Sequence, residues 1–128
     1  AGIAVVTGGE PLMHDLGPLT DALRSKGIRC HIETSGAHPM SGSFDWICVS
    51  PKKFKSPLPD VLAKADELKV VIYHKSDLDW AEAHAAKVGS LQPEWSKAAE
   101  MTPLIIDYIK SHPRWILSLQ THKYINIP

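Results

Sequence analysis

The stretch Ile3-Ala4-Val5-Val6-Thr7-Gly8-Gly9-Glu10-Pro11-Leu12 decides the fold of this chain. Its first four residues form a short apolar run, which predicts a strand, and the paired glycines behind it predict a tight turn towards a helix. Ligands of parallel α/β sheets bind where the strands end. Because Gly8 and Gly9 carry no side chain, backbone groups can approach a ligand closely there, and Glu10 adds a carboxylate. The stretch lacks the spacing of a phosphate loop, and it suits the amino and carboxylate groups of an amino acid better.

Length and composition limit the possible classes of protein. The 128 residues, 44% of them apolar, predict a single domain over residues 1–128. Fourteen basic residues balance fourteen acidic ones, so no net charge recruits nucleic acid or an anionic membrane. We find no apolar run that could span a bilayer and no leader sequence, and therefore expect a cytoplasmic location. Cys30 and Cys48 lie in apolar runs, which predicts buried, reduced thiols.

Strand-like and helix-like periods alternate along the whole chain, which predicts repeated βα units. Such a succession requires a mostly parallel sheet with right-handed crossovers, either open or curled towards a barrel. The segment Ser90-Leu91-Gln92-Pro93-Glu94-Trp95 has a very short apolar run before its polar end, so we expect either a stunted strand there or missing residues. The other predicted strands are Ile3–Val6, Ile28–Glu33, Trp46–Val49, Leu68–Tyr73 and Trp115–Leu119.

Four helices are predicted between the strands. The first carries Leu16, Leu19 and Leu23 on one face, with Pro18 in its first turn and Gly27 as its C-terminal cap. The second covers residues 60–66. The third runs from about residue 78 to 88, with Ser76 and Asp79 as a capping box and Gly89 at its end. The fourth is opened by Thr102-Pro103, closed by Pro113, and turns Leu104, Ile105, Tyr108 and Ile109 towards the core.

Small and polar residues end several of the predicted strands. Because the carboxyl ends of parallel strands meet at one edge, these residues are expected to form one cavity for a small molecule with amino, carboxylate and ribose groups. Lys52 is the natural carboxylate partner, Ser35 and Ser50 could bond hydroxyls, and Gln92 could pair with the edge of a heterocycle. The strand ends in question are Thr7-Gly8-Gly9-Glu10, Thr34-Ser35-Gly36, Ser50-Pro51-Lys52 and Gln92-Pro93-Glu94.

Five segments taken together resemble one enzyme family. They are Thr7–Leu12, Glu33–Gly36, Ser50–Lys52, Leu91–Trp95 and Leu117–Pro128, with the sequences TGGEPL, ETSG, SPK, LQPEW and LSLQTHKYINIP. The set resembles the 7-carboxy-7-deazaguanine synthases, which belong to the radical S-adenosylmethionine superfamily. The resemblance implies a partial, incomplete TIM-like barrel. It also implies a homodimeric lyase of queuosine and 7-deazapurine biosynthesis, within a tRNA modification pathway. Such a lyase contracts the ring of 6-carboxy-5,6,7,8-tetrahydropterin with loss of ammonia and assistance by Mg²⁺.

The resemblance also implies roles for single residues. Gly9 and Glu10 would hold the methionyl amino end of S-adenosylmethionine, Ser50 and Lys52 its ribose and carboxylate, and the segment around Gln92 its adenosine. The full implied set for S-adenosylmethionine is Gly9, Glu10, Ser35, Ser50, Lys52, Ser90, Leu91, Gln92 and Pro93. The implied set for the pterin substrate is Thr7, Gly8, His122 and the free carboxylate of Pro128.

One departure from the family concerns the [4Fe–4S] cluster, which needs three closely grouped cysteines. Cys30 and Cys48 lie eighteen positions apart on different predicted strands and do not fit. The seven histidines show no metal-ligand spacing either, so no metal ligand and no catalytic residue is assigned within this chain. We expect the chain to be the C-terminal part of the enzyme, with the cluster cysteines and the Mg²⁺ ligand upstream of Ala1, and to be inactive alone.

Two alternative functions remain open at this point. The chain could belong to another radical S-adenosylmethionine enzyme, an activase or a maturase, which would share Gly-Gly-Glu but not the C-terminal Gln-Thr-His-Lys segment. It could also be a non-catalytic nucleotide-binding α/β module, which would bind its ligand without any iron–sulfur chromophore.

Overall fold

A computed structural model describes residues 2–84 and 88–128 of the chain. Their contacts form two compact units, Ala1–Leu68 and Lys69–Pro128, and the boundary falls inside the fourth strand. The prediction of a single domain over residues 1–128 stays a prediction.

The first unit contains the predicted opening strand and the two strands after it. They are β1 (Ile3–Val6), β2 (Arg29–Thr34) and β3 (Trp46–Val49), with helices α1 (Gly17–Ser25) and α2 (Pro59–Ala63) between and after them. Strand β4 (Glu67–Ile72) begins in this unit. Its core includes the buried residues Cys30, Ile32, Val49, Val61 and Leu68.

The second unit contains the end of β4 and the rest of the chain. After β4 come α3 (Asp77–Glu82), β5 (Val88–Pro93), α4 (Ala98–Ser111), β6 (Trp115–Leu117) and α5 (Thr121–Tyr124). Its core contains Val70, Ile72, Leu91, Ile105 and Trp115, none more than 1% exposed.

Backbone pairing gives the strand order β1-β2-β3-β4-β5-β6. The described pairings are parallel, with Val5 opposite His31, His31 opposite Trp46, and Ser90 opposite Ile116. This sequential order is that of a barrel sheet and differs from the order of a doubly wound sheet. The predicted α/β class with an incomplete parallel barrel sheet built from βα repeats is confirmed.

The prediction that the third helix extends to Val88 and ends at Gly89 is wrong. Helix α3 ends at Glu82, and Val88 and Gly89 begin β5; residues 85–87 of the predicted helix lie outside the described residues. Strand β5, which contains Gln92, is therefore six residues long and not stunted. Gly89 is required for packing, since a Cβ there would lie 2.5 Å from the indole ring of Trp115.

Two predicted helix starts differ from the structure. Ser76 makes no side-chain cap, and the carboxylate of buried Asp77 instead accepts hydrogen bonds from the backbone N–H groups of Tyr73 and His74. Helix α4 begins at Ala98, so Pro103 lies inside it and does not open it. In both places the polar residue or the proline indicates that a helix starts nearby, but it does not identify the first residue of that helix.

The predicted apolar face of α1 is also only partly right. Leu16 is buried, but Leu19 is 45% exposed, and the fully buried residue of the helix is Thr20. The Thr20 hydroxyl donates to the carbonyl oxygen of Leu16 and accepts from the backbone N–H of Ser43. A buried hydroxyl with both kinds of partner is tolerated where an apolar side chain was expected.

Candidate functional site

The turn after β1 places backbone groups at the end of the strand. Gly8 and Gly9 have φ angles of +88° and +52°, in a region that residues with a Cβ rarely adopt. A short 3-10 helix over Pro11–Met13 follows, and both Gly8 and Gly9 are exposed. The glycine pair is therefore needed for the path of the backbone, as the sequence predicted.

Glu10 accepts four hydrogen bonds, and three of them connect this turn to the end of β2. Its Oε1 accepts from the Thr34 hydroxyl at 2.5 Å and from the backbone N–H of Leu12 at 3.1 Å. Its Oε2 accepts from the hydroxyl and the backbone N–H of Ser35, at 2.5 and 2.8 Å. Burial acts to raise the pKa of Glu10, but the hydrogen bonds from Ser35 and Thr34 outweigh it, so the pKa lies below its ordinary value. The side chain is thus held as a carboxylate.

A cavity of about 260 Å³ opens beside this carboxylate, within the first unit. Whole-ligand sites usually measure about 300–1,000 Å³, so this cavity suits one end of a larger ligand. Four predicted site residues meet at it, namely Gly9, Glu10, Ser35 and Lys52. Three of the four strand ends that were predicted to form one cavity therefore contribute to it, and the fourth, Gln92-Pro93-Glu94, is not among its lining residues. The remaining lining residues are Met13, Ala37, His38, Phe54 and Lys55.

Lys52 and Lys55, which both line the cavity, lie in a tight turn after β3. Lys52 and Lys55 form an isolated antiparallel bridge, and the backbone N–H of Lys55 donates to the carbonyl oxygen of Lys52. Phe54, between them, is 89% exposed. Ser50 lies just before the turn, and its backbone N–H donates to the carbonyl oxygen of Thr34 at 2.7 Å. The turn thus adds two lysines to the lining of a cavity whose carboxylate is already bound by protein donors.

The second unit holds the predicted adenosine segment and the C-terminal tail. Ser90, Leu91 and Pro93 are buried within β5, and the Gln92 side chain accepts from the Ser118 hydroxyl at 3.3 Å. Only Gln92 of this segment therefore carries a partly exposed side chain. The tail residues His122 and Pro128 are exposed, as is Thr7 in the first unit.

Sequence reasoning missed several residues that line the cavity. Lys55 and Phe54 belong to the short basic run 52–55, and its charge was the available signal. His38 and Met13 carry no signal in the sequence, because only the folding of two loops brings them to the cavity.

The described residues contain no group of three potential ligands that could hold a metal ion. Cys30 and Cys48 are buried thiols on β2 and β3, as predicted. Within the described part of the chain, no helix has the length and apolar character needed to cross a membrane.

Comparisons with known proteins agree with the family resemblance. No family model matches the chain. A 7-carboxy-7-deazaguanine synthase of Flavobacterium psychrophilum is 54% identical over 97% of this chain, and one of Synechocystis is 51% identical over 96%. The chain spans 61% of the length of each of these two relatives.

Two further matches extend the comparison to longer coverage and to structure. A 7-carboxy-7-deazaguanine synthase of Prochlorococcus marinus is 39% identical over 99% of this chain and 68% of its own length. The crystal structure of QueE from Escherichia coli matches with a TM-score of 0.80 at 37% identity, over 92% of this chain and 56% of that one. On the strength of sequence and fold together, this chain belongs to the 7-carboxy-7-deazaguanine synthase family.

Proposed function

We propose that this chain forms the S-adenosylmethionine-binding part of a lyase that converts 6-carboxy-5,6,7,8-tetrahydropterin to 7-carboxy-7-deazaguanine. The family assignment supports this reaction over that of an activase or a maturase. The observation that carries the proposal is the cavity where the glycine turn, Ser35 and Lys52 meet, because its groups match an amino acid moiety.

The cavity fits the methionyl end of S-adenosylmethionine on chemical grounds. Lys52 is exposed and offers a cation for the carboxylate of the ligand. The turn at Gly8 and Gly9 offers backbone groups for the ligand's ammonium. Ser50 would contact the ribose, and the partly exposed Gln92 the adenosine. When bound, S-adenosylmethionine supplies the radical that starts the ring contraction. The residues of this chain bind and orient it. The proposed set is Gly9, Glu10, Ser35, Ser50, Lys52, Ser90, Leu91, Gln92 and Pro93.

The pterin site is proposed for residues that the structure leaves exposed. Thr7 and Gly8 follow β1 directly, while His122 and Pro128 belong to the tail of the second unit. We therefore assign these four residues to the substrate.

A [4Fe–4S] cluster does not fit the described residues. Three grouped thiolates are needed, and the two cysteines are buried on different strands. We therefore assign the cluster and Mg²⁺ no ligand in this chain and propose that the rest of the protein supplies them. The homodimer and the cytoplasmic location remain predictions of the same kind.

The reaction is tested with the full-length protein, purified anaerobically, reconstituted with iron and sulfide, and supplied with reductant, S-adenosylmethionine, Mg²⁺ and the pterin. The expected product is 7-carboxy-7-deazaguanine, identified by mass spectrometry, with one ammonia released. Lys52→Ala is expected to raise the KM for S-adenosylmethionine about 10- to 100-fold, since a hydrogen bond to a charged group contributes about 1.5–3 kcal/mol. Lys53→Ala, in the same turn but not lining the cavity, is the matched control. Binding of S-adenosylmethionine without an iron–sulfur chromophore or turnover would point to a non-catalytic module instead.

A further inference from the structure

Phe54 is the most exposed of the large apolar side chains that the structure describes. It is 89% exposed, and Met13 follows with 68%. Single apolar side chains on a protein surface are common, so exposure by itself indicates no function. These two side chains, however, line the same cavity, together with Glu10 and Lys52. The cavity therefore combines charged groups with two apolar side chains that remain exposed to solvent.

The backbone of the turn after β3 holds Phe54 close to Lys52. Lys52 and Lys55 pair across the turn, and the backbone N–H of Lys55 donates to the carbonyl oxygen of Lys52 at 3.3 Å. This pairing leaves Lys53 and Phe54 at the tip of the turn. Two residues of chain span at most about 7 Å, so the side chains of Lys52 and Phe54 can contact neighbouring parts of one ligand.

The methionyl end of S-adenosylmethionine carries an anion and a cation at such a separation. A short carbon chain joins its carboxylate, for which Lys52 is the proposed partner, to a positively charged sulfonium. Because carbon groups surround the charge of a sulfonium, it resembles a quaternary ammonium, which proteins bind against the faces of aromatic rings. The carboxylates of Glu10 and of the ligand offset the charges of Lys52 and Lys55, so the cavity can accept this further cation.

We propose that the Phe54 ring covers the sulfonium of bound S-adenosylmethionine and makes the site prefer this cation to a neutral thioether. This inference rests on the proposed function, which supplies the ligand. The cation–π contacts between described side chains involve the rings of Tyr73, Trp95 and Trp115. The exposed ring of Phe54 is therefore open to a cation that comes from the ligand.

The test measures ligand binding by calorimetry in the full-length, reconstituted protein without reductant. Two probes are compared: S-adenosylmethionine, and S-adenosylhomocysteine, which lacks the methyl group and the positive charge. Phe54→Leu keeps an apolar side chain but removes the aromatic face, whereas Phe54→Trp keeps an aromatic face. Leu19→Ala is the matched control, because Leu19 is also an exposed apolar residue but does not line the cavity.

Phe54→Leu is expected to weaken binding of S-adenosylmethionine about three- to tenfold and binding of S-adenosylhomocysteine less than about twofold. Phe54→Trp and Leu19→Ala are expected to bind both probes within about threefold of the unaltered protein. Equal losses for both probes in Phe54→Leu overturn the proposal, because the side chain then contributes packing and no cation–π contact. Unchanged binding of both probes also overturns it, because the ring then does not contact the ligand.

Urea unfolding of each variant checks that the fold is intact. Because Phe54 is exposed, its substitutions are expected to leave the unfolding midpoint unchanged. If Phe54→Leu does not fold, Phe54→Met takes its place, since it also lacks an aromatic face, and the same outcomes apply. If the unaltered protein binds neither probe, the proposed function itself fails, and this result is distinct from a loss of preference between the probes.

Discussion

Replacing Gly89 by alanine tests how the second unit packs. A Cβ at this position would lie 2.5 Å from two atoms of the Trp115 ring, and the ring has little freedom to move. Trp115 is 1% exposed, and its indole N–H donates to the Glu82 carboxylate at 2.5 Å. Overpacking against a fixed core side chain lowers the free energy of unfolding by about 1–3 kcal/mol. Alanine also reduces the conformational entropy of the unfolded chain, which stabilises the folded protein by about 0.4–1 kcal/mol. We expect a net destabilisation of about 1–2 kcal/mol.

The assay is urea unfolding, with the free energy taken from the midpoint and the slope. Gly2→Ala is the matched control, because a Cβ there meets no described atom within 4 Å, and it is expected to change stability by less than about 0.5 kcal/mol. Trp115→Phe in the Gly89→Ala background should recover part of the loss relative to Trp115→Phe alone, since the smaller ring leaves space. Equal stability of Gly89→Ala and the unaltered protein would refute the packing of Trp115 on Gly89.

Three further predictions concern carboxylates and one more glycine. Glu82→Gln is expected to lower the free energy of unfolding in urea by about 1–2 kcal/mol, because the Glu82 carboxylate accepts hydrogen bonds from both Tyr108 and Trp115. Glu100→Gln, which removes an exposed ion pair, is the control and should change the free energy of unfolding by less than about 0.5 kcal/mol. Gly36→Ala is expected to lower the free energy of unfolding by about 2–4 kcal/mol in the same assay. The reasons are the positive φ of +76° at Gly36 and the position of a new Cβ, which would lie only 2.9 Å from Pro57. A loss below about 1 kcal/mol would contradict this prediction. The pKa of Glu10 is lowered on folding from an ordinary value of 4.5, so its contribution to stability is present above pH 4.5 and is lost as pH falls through the lower, folded value. The stability difference between the unaltered protein and Glu10→Gln should therefore shrink on acidification below pH 4.5, and a constant difference would contradict this linkage.

Much of the fold follows from local patterns of the sequence. The bounds of β3 were predicted to the residue, and β2 and β4 to within one residue, because β-rich apolar runs end there in clear turn signals. The C-cap of α1 is Lys26, and Gly27, predicted as the cap, directly follows it with a positive φ. Strands and turns of this kind are specified by residues adjacent in the chain.

Features that depend on contacts between distant residues were not predictable. Gly89 was read as the end of a helix because nothing in the sequence shows that Trp115, 26 positions later, packs on it. The role of Thr34 in holding Glu10 is hidden for the same reason, since the two residues lie 24 positions apart. The polar strand ends were recognised, but which donor satisfies which acceptor is decided by the register of β1 against β2.

The most direct test of the account is a crystal structure of the full-length protein with S-adenosylmethionine bound. The account predicts that the ligand carboxylate lies within about 4 Å of the Lys52 ammonium, that the ligand ammonium contacts backbone carbonyls of the Gly8-Gly9 turn, and that Glu10 keeps its bonds to Thr34 and Ser35. A methionyl end bound away from the cavity between the glycine turn and Lys52 would contradict it.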